Sequence, residues 1–169
     1  MTALRTCLLS TALLAACLAS ASAGAVDVAR TSHFNAPAFC QASLPAYDAG
    51  LRKRPLGLQN EGDSVSFVTC ALATENFIDA VEVYLSSHDG TEAEVTCTLV
   101  NGYNYGTNEY ITKSVVTDAD DYVGMVFLPE DFIDQEETFP SAFVSLSCAL
   151  PPGTGLNDMW IRYSEDVGA

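Results

Sequence analysis

Basic residues are scarce in this chain. The 169-residue sequence has 7 Lys and Arg against 22 Asp and Glu, and its formal net charge at pH 7 is −15. A field of that sign repels the phosphate backbone of nucleic acids and the headgroups of anionic lipids. We therefore expect no nucleic-acid partner, whereas a cationic partner or a divalent metal ion stays open.

Histidine is equally rare, and no two cysteines form a close pair. The chain contains His33 and His88 alone, and neither lies in a nucleophile motif such as G-x-S-x-G. Both are predicted to be solvent-exposed. Zinc sites use closely spaced cysteines such as C-x-x-C, which this sequence lacks. We predict no catalytic residues and no enzyme activity, and a secreted hydrolase ranks last among the hypotheses.

A long hydrophobic run occurs at the start of the chain and does not recur. Residues 7–19 are apolar, Arg5 precedes them, and Ala21-Ser22-Ala23 follows as a site for signal peptidase. The run is too short to span a bilayer. Residues 1–23 are therefore predicted to be a signal peptide. We expect a periplasmic or extracellular protein, with no membrane insertion after cleavage.

A second processing signal competes with this interpretation. Residues 14–17 read Leu-Ala-Ala-Cys and resemble a lipobox, in which the cysteine is acylated and becomes the mature N-terminus. Leu18 follows where a small or polar residue is more usual, and the apolar run continues past the cysteine. An ordinary signal peptide is favoured, and a lipid anchor through Cys17 is the alternative.

Four cysteines follow residue 23, namely Cys40, Cys70, Cys97 and Cys148. An even number in an exported chain indicates two disulfides, although four cysteines allow three connectivities. Three of them lie in similar runs at 68–72, 95–99 and 146–150, where the cysteine shares one strand face with aliphatic neighbours. We prefer the pairs Cys97 with Cys148 and Cys40 with Cys70.

Short alternating segments bounded by turn residues dominate the rest of the sequence. They predict strands at 65–72, 77–86, 93–100, 109–117, 122–128, 142–150 and 157–163. Without a convincing amphipathic helix, this pattern favours an all-β fold, a disulfide-stapled antiparallel β-sandwich or jelly roll of about seven or eight strands. The sandwich domain is assigned to 65–169. Residues 24–64 are predicted to be an irregular lead-in that contains Cys40.

The strands at 77–86 and 93–100 are predicted to form a hairpin. A three-residue loop places Val83 opposite Val95 and keeps the apolar residues on one face. Gly90 would then adopt the left-handed conformation that closes such a loop, and His88 would be an exposed turn residue. The basic cluster at 52–54 is predicted to lie in a solvated loop.

The V-x-C-x-L run at 95–99, and the S-C-A-L-P-P-G run at 147–153 followed by Trp160 and Tyr163, resemble a group of small secreted bacterial proteins without assigned function. The resemblance covers scattered stretches of the chain. It implies no activity, cofactor or site residue.

Two groups of residues are candidate binding sites. Asp118, Asp120 and Asp121 form an oxygen-rich turn of the kind that holds Ca²⁺, although aspartates are also common at turns for local hydrogen-bonding reasons. Tyr103, Tyr105 and Tyr110 lie in or beside a Gly/Asn-rich loop. Tyrosines presented there could stack on sugar rings, or could pack on the rim of the core.

Three function classes follow from these observations. The leading hypothesis is an exported non-catalytic domain with a structural or protein-interaction role at the bacterial envelope or outside the cell. The alternative is a carbohydrate-binding module with Ca²⁺ as its candidate cofactor, and an enzyme ranks third. An aromatic cluster on an exposed sheet face would favour carbohydrate binding, whereas two convergent carboxyl groups in a deep cleft would favour an enzyme.

Overall fold

The computed structural model describes residues 26–74, 77–102, 106, 108–132 and 138–168. Eleven strands lie within this part of the chain: β1 (Asp27–Asn35), β2 (Cys40–Ala42), β3 (Leu51–Arg54), β4 (Gly57–Asn60), β5 (Ser66–Ala73), β6 (Ile78–Ser87), β7 (Glu94–Asn101), β8 (Glu109–Val116), β9 (Val123–Phe127), β10 (Phe143–Leu150) and β11 (Thr154–Asp166). Two single-turn helices, α1 (Ala36–Phe39) and α2 (Pro45–Asp48), and a 3₁₀ turn at Pro129–Asp131 complete the elements.

The strands form two antiparallel sheets. Sheet A has the order β3-β4-β11-β6-β9, with β1 also paired to β11, and sheet B has the order β2-β5-β10-β7-β8. Buried and outward residues alternate along β5, β7 and β10, as expected where one face of a sheet is covered and the other is solvated. The predicted all-β antiparallel sandwich is confirmed, with more strands than the seven or eight expected.

Side chains from both sheets pack into one hydrophobic core. Val68 and Leu146 of sheet B and Val83 and Ile161 of sheet A are fully buried within it. Phe139 enters the same core from the loop before β10, and its backbone N–H donates to the carbonyl oxygen of Ile78 at 2.8 Å. The sandwich is therefore closed at this end by an aromatic side chain from a loop.

Both disulfides lie within sheet B. The Cys40–Cys70 bridge joins β2 to β5 with an S–S distance of 2.02 Å, and the Cys97–Cys148 bridge joins β7 to β10 at 2.07 Å. In each bridge the two cysteines are directly opposite in the strand register. These are the pairs preferred from the sequence, and each one covalently links neighbouring strands of the same sheet.

The predicted hairpin of β6 and β7 is wrong. β6 pairs with β9 and β11 in sheet A, whereas β7 pairs with β8 and β10 in sheet B, so Val83 lies opposite Met125 and Met159 instead of Val95. The connecting residues cross from one sheet to the other. Gly90 in this crossing does have a positive φ of 84°. Turn residues between two alternating strands occur both in hairpins and in connections between the two sheets of a sandwich. The sequence pattern therefore could not distinguish the two arrangements.

Residues 24–64 also need correction, because they are not irregular. Residues 27–60 contain β1 to β4 and both single-turn helices. The basic cluster Arg52, Lys53 and Arg54 lies on β3 at the edge of sheet A and not in a loop. Charged side chains on an edge strand hinder pairing with another chain, which accounts for their position.

Lys113 connects the two sheets where β8 and β9 run along neighbouring edges. Its Nζ donates to the Asp131 carboxylate at 2.6 Å and to the carbonyl oxygen of Val126 at 2.8 Å. The same ammonium lies 5.6 Å from the ring centroid of Phe127. The ammonium of Lys113 is therefore paired with groups of the protein itself.

The chain divides into two compact units. Residues 29–165 form the larger one and contain the sandwich; of the smaller one, the structure describes residues 26–28 and 166–168. In the smaller unit the backbone N–H of Val167 donates to the carbonyl oxygen of Val26 at 3.1 Å. No helix in the described ranges is both long and apolar enough to cross a membrane.

Candidate functional site

The outer face of sheet A carries a row of three aromatic rings. Tyr84 on β6 and Trp160 on β11 point outward because their neighbours Val83, Leu85, Met159 and Ile161 point into the core. The ring centroids of Tyr84 and Trp160 are 4.8 Å apart, and His33 of β1 lies 4.4 Å from Trp160 on a tilted plane. We refer to His33, Trp160 and Tyr84 as the aromatic row.

An ion pair orients Tyr84, one member of the aromatic row. Glu82, opposite Trp160 in the strand register, accepts a bond from Arg162 at 2.8 Å and another from the hydroxyl of Tyr84 at 2.6 Å. The hydrogen bond to Glu82 is the main reason why the pKa of Tyr84 is raised above 10.0. The phenol therefore stays neutral, and its ring is held in one orientation beside Trp160.

A polar depression of about 360 Å³ adjoins the aromatic row. The two are contiguous because Ser86, which lines the depression, follows Tyr84 on the same face of β6. A register shift between Leu156 and Asp158 marks a β-bulge, and bulges re-aim side chains. The bulge residue Asn157 lines the depression, accepting from the Ser86 hydroxyl at 2.9 Å and donating to the carbonyl oxygen of Leu56 at 2.9 Å.

The far wall of the depression is acidic. Asp120, Asp121 and Tyr122 come from the loop before β9, and Arg54 comes from the end of β3. Arg54 Nε donates to Glu61 at 2.9 Å, so its charge is already compensated. The depression thus offers carboxylate, amide, hydroxyl and phenol groups beside the tilted rings of the aromatic row.

Two of the three aspartates predicted to bind Ca²⁺, Asp118 and Asp121, use their carboxylates in local turn bonds. Asp118 Oδ1 accepts from the backbone N–H of Asp120 at 2.8 Å, and Asp121 Oδ1 accepts from that of Tyr122 at 2.7 Å. Across the residues that the structure describes, no three His, Cys, Asp or Glu side chains are placed to hold a metal ion. The structure does not bring the three carboxylates together as a ligand set, and Ca²⁺ binding stays an untested prediction.

The predicted tyrosine group is only partly visible. Tyr103 and Tyr105 lie outside the described residues. Tyr110 is on β8 and points outward from sheet B, with 64% of its surface exposed. It is therefore on the opposite side of the sandwich from the aromatic row.

The two histidines differ from each other. His33 is exposed, as predicted, but one side of its ring packs against Trp160. His88 is half-buried and not an exposed turn residue: its Nε2 lies 2.9 Å from the carbonyl oxygen of Asn60, and its backbone N–H donates to Gly153 at 2.9 Å. Both therefore have structural contacts.

The aromatic row and the polar depression were not predicted from the sequence. The alternation along β6 and β11 was a usable signal, because it places Tyr84 and Trp160 on the face opposite the buried aliphatic residues. That β6 and β11 are neighbours could not be read from the sequence, because they lie far apart in the chain.

Comparison with known proteins gives a limited result. No family model and no curated protein matches the chain. Similar solved structures include a family two carbohydrate esterase from Cellvibrio japonicus, with a TM-score of 0.48 and 10% identity, covering 84% of this chain and 36% of that one. This chain therefore spans about a third of that esterase's length.

Two further similar structures are described as carbohydrate-binding modules. One is the C-terminal CBM6 of LamC from Zobellia galactanivorans, with a TM-score of 0.47 and 8% identity over 78% of this chain and 98% of that one. The other is the CBM36-1 domain of a xylanase from the hindgut metagenome of Trinervitermes trinervoides, with a TM-score of 0.45 and 9% identity over 78% and 96%. We draw no functional conclusion from likeness at these values.

Proposed function

We propose that this protein is an exported, non-catalytic domain that binds carbohydrate through the outer face of sheet A. The observation that carries the proposal is the aromatic row beside the polar depression. Sugar rings present apolar C–H faces and hydroxyl edges, so a site for them combines aromatic surface with a few placed hydrogen-bonding groups. Trp160 and Tyr84 supply the aromatic surface, while Ser86, Asn157 and Asp120 supply the polar groups.

Several features support preorganisation of this site. The Tyr84 ring is held by its bond to Glu82, and the amide of Asn157 is held by Ser86 and by Leu56. Gly124 lies opposite Tyr84 on β9, so no side chain covers that edge of the ring. Groups that are already oriented lose little entropy when a ligand binds.

The non-catalytic and exported parts of the proposal rest on other residues. All four cysteines of the described chain are in disulfides, and the ring of His88 is bonded to a backbone carbonyl. Disulfides form and persist in oxidising compartments, which is consistent with export and with cleavage of residues 1–23 as a signal peptide.

The chain contains a single tryptophan, so Trp160 fluorescence reports directly on the proposed site. We expect soluble oligosaccharides of one class to cause a saturable change in the emission of the native protein. Tyr84→Ala should weaken that binding about tenfold, or ~1.4 kcal/mol, because one stacking surface is lost. Tyr84→Phe keeps the ring and should retain most of the affinity.

Tyr110→Ala is the matched control, since it removes an outward tyrosine from sheet B. Near-ultraviolet circular dichroism and thermal unfolding establish that each variant is folded. If no oligosaccharide in a panel of neutral, acidic and amino sugars changes the emission, the proposal is wrong. Equal losses in Tyr84→Ala and Tyr110→Ala would also contradict it.

A further inference from the structure

The outer face of sheet B is rich in hydroxyl groups, and we call it the hydroxyl face. Four adjacent strands contribute Ser or Thr side chains at outward positions. They are Thr69 on β5, Ser145 and Ser147 on β10, Thr96 and Thr98 on β7, and Thr112 and Ser114 on β8.

The strand register aligns these hydroxyls in rows across the sheet. One row runs from Thr112 through Thr98, Ser147 and Thr69 to Gln41 on β2. Neighbouring hydroxyls bond to each other, with 2.8 Å between Thr98 and Thr112 and 2.7 Å between Thr96 and Ser114.

Such pairing leaves much of the hydrogen-bonding capacity of the face unused. In each hydroxyl pair one O–H donates to the other oxygen, so the second O–H and several lone pairs are left over. Within the described part of the chain, the hydroxyls of Ser145 and Ser147 at the centre of the sheet have no hydrogen-bond partner. The face therefore presents both donors and acceptors to whatever covers it.

Charge is nearly absent from this face. At the outward positions of β5, β7, β8 and β10 the one charged residue is Glu94, at the end of β7. The whole chain has a net charge of −15, so its charged side chains lie elsewhere. An occupant that approaches this face meets neither a cation nor a central carboxylate.

Aromatic side chains stand around the hydroxyl rows. Phe67, Tyr110 and Phe143 are 40%, 64% and 56% exposed. Tyr47 of α2 packs beside Phe67, with ring centroids 5.2 Å apart. Exposed aromatic rings that frame a field of hydroxyls are suited to a surface with both apolar and hydroxyl character.

We propose that the hydroxyl face docks onto the surface of a neutral, hydroxyl-rich polysaccharide. Such a surface matches the free donors and acceptors and requires no charge to be desolvated. This is a second contact, on the opposite sheet from the aromatic row. Two contacts on one small domain raise overall retention on a polymer through effective concentration.

A second copy of the chain is a poorer occupant on two grounds. Two chains of net charge −15 repel each other. Four eight-residue strands and the short β2, about 4.8 Å apart, span roughly 24 by 27 Å, or at most about 650 Å². A stable protein interface buries about 800 Å² on each partner, so the hydroxyl face is too small for one.

The experiment measures how much protein an insoluble neutral polysaccharide removes from solution, for the native protein and for two variants of opposite charge. Thr98→Lys and Ser147→Glu each place a charge in the row that runs from Thr112 to Gln41. We expect each to weaken particle binding about tenfold or more, because a charge of either sign must be desolvated against a neutral surface. General electrostatics would instead move the two variants in opposite directions.

Ser64→Lys in the loop before β5 is the matched control, since it makes the same charge change at an exposed position away from the aromatic row and from the strands of the hydroxyl face. It should bind particles as the native protein does, and Tyr84→Ala should retain contact with the particles while binding the soluble oligosaccharide about tenfold more weakly. Light scattering gives the oligomeric state of every variant.

Three outcomes would overturn the proposal. They are undiminished particle binding by Thr98→Lys and Ser147→Glu, opposite effects of these two variants, and a native dimer that Thr98→Lys dissociates. Absence of oligosaccharide binding to the aromatic row, with particle binding intact and sensitive to Thr98→Lys, would refute the proposed function alone.

Discussion

The two sheets of the sandwich differ in how they are held together and in what they present to solvent. Sheet B contains both disulfides and presents a nearly uncharged hydroxyl face. Sheet A has no disulfide among its described strands, and it presents the aromatic row, an ion pair and a polar depression. The covalent links are thus concentrated in the sheet opposite the aromatic row.

This difference separates stability from recognition within one fold. Covalent links in sheet B constrain the unfolded chain without occupying any outward position, because all four cysteines point into the core. Sheet A relies on hydrogen-bonded register and core packing, which leaves its outward positions free for aromatic and polar groups. Predictions that target one sheet at a time can therefore test the comparison.

The largest expected effect is loss of the bridge between β7 and β10. Replacing Cys97 and Cys148 together with Ala should lower the free energy of unfolding by about 4 kcal/mol, from the chain entropy of the loop that the bridge closes. The bridge between Cys40 and Cys70 closes a shorter loop. Replacing these two cysteines with Ala should therefore lower the free energy of unfolding by about 3.5 kcal/mol. Denaturant unfolding measures both.

The loss of stability should be confined largely to sheet B, which contains the Cys97–Cys148 bridge. Below its melting temperature the Cys97/Cys148 variant should keep the Trp160 emission of the native protein, because the aromatic row is on the other sheet. Faster amide exchange should appear first in β7 and β10. An altered aromatic row in the folded variant, or a loss below 1 kcal/mol, would mean that the two sheets are not separable in this way.

Intermediate effects are expected where the chain passes between the sheets. Gly153 lies between β10 and β11 with φ +81°, and an added Cβ would come within 2.5 Å of Asp89 Oδ1. Gly90 lies between β6 and β7 with φ +84° and has open space around it. Gly90→Ala should destabilise the protein by about 1 kcal/mol, because a Cβ is disfavoured in the left-handed backbone conformation. Gly153→Ala should destabilise it by about 2 kcal/mol or more, because its Cβ would also clash with Asp89.

A double-mutant cycle isolates the clash. In an Asp89→Ala background, Gly153→Ala should cost no more than Gly90→Ala, because only the backbone strain is left. If Gly153→Ala costs the same in both backgrounds, the contact between the two crossings contributes nothing. Urea unfolding of the four proteins is sufficient.

The smallest effect concerns the stability of the protein at acidic pH. The backbone N–H of Thr91 donates to Asp89 at 2.9 Å, and this bond lowers the pKa of Asp89 below 3.8. A folded-state pKa below the unfolded value means that the stabilisation is present above about pH 3.8 and is lost as the pH falls through the folded-state pKa.

Asp89→Asn should therefore lower the melting temperature slightly at pH 7, and its difference from the native protein should shrink as the pH falls below 3.8. Glu92→Gln, an exposed neighbour with the same charge change, is the control. A difference that grows on acidification would contradict the assignment.

Much of the fold could be predicted from local patterns. The seven predicted strands correspond to β5 to β11, because alternation of buried and outward residues is strong in each of them. The disulfide pairs followed from inward cysteines that share a core. β3 and β4 were missed because four-residue strands with polar or basic residues carry no alternation signal.

The candidate site could not be predicted for a different reason. His33, Tyr84 and Trp160 come from three strands that are neighbours only because β11 pairs with both β1 and β6. Strand order in a sandwich is decided by burial of the complete core and not by local turns. The same reason explains the failed hairpin, in which a favourable local register lost to pairing with distant strands.

The positions of β10 and β11 have a consequence for the order of folding. β10 is the middle strand of sheet B and β11 is the middle strand of sheet A, yet they are the last two strands along the chain. During synthesis sheet B cannot be completed before β10 has emerged, and sheet A cannot be completed before β11 has emerged. The pairings of both strands span long stretches of sequence, which slows folding. We therefore expect the sandwich to be completed only after residue 166 has been synthesised.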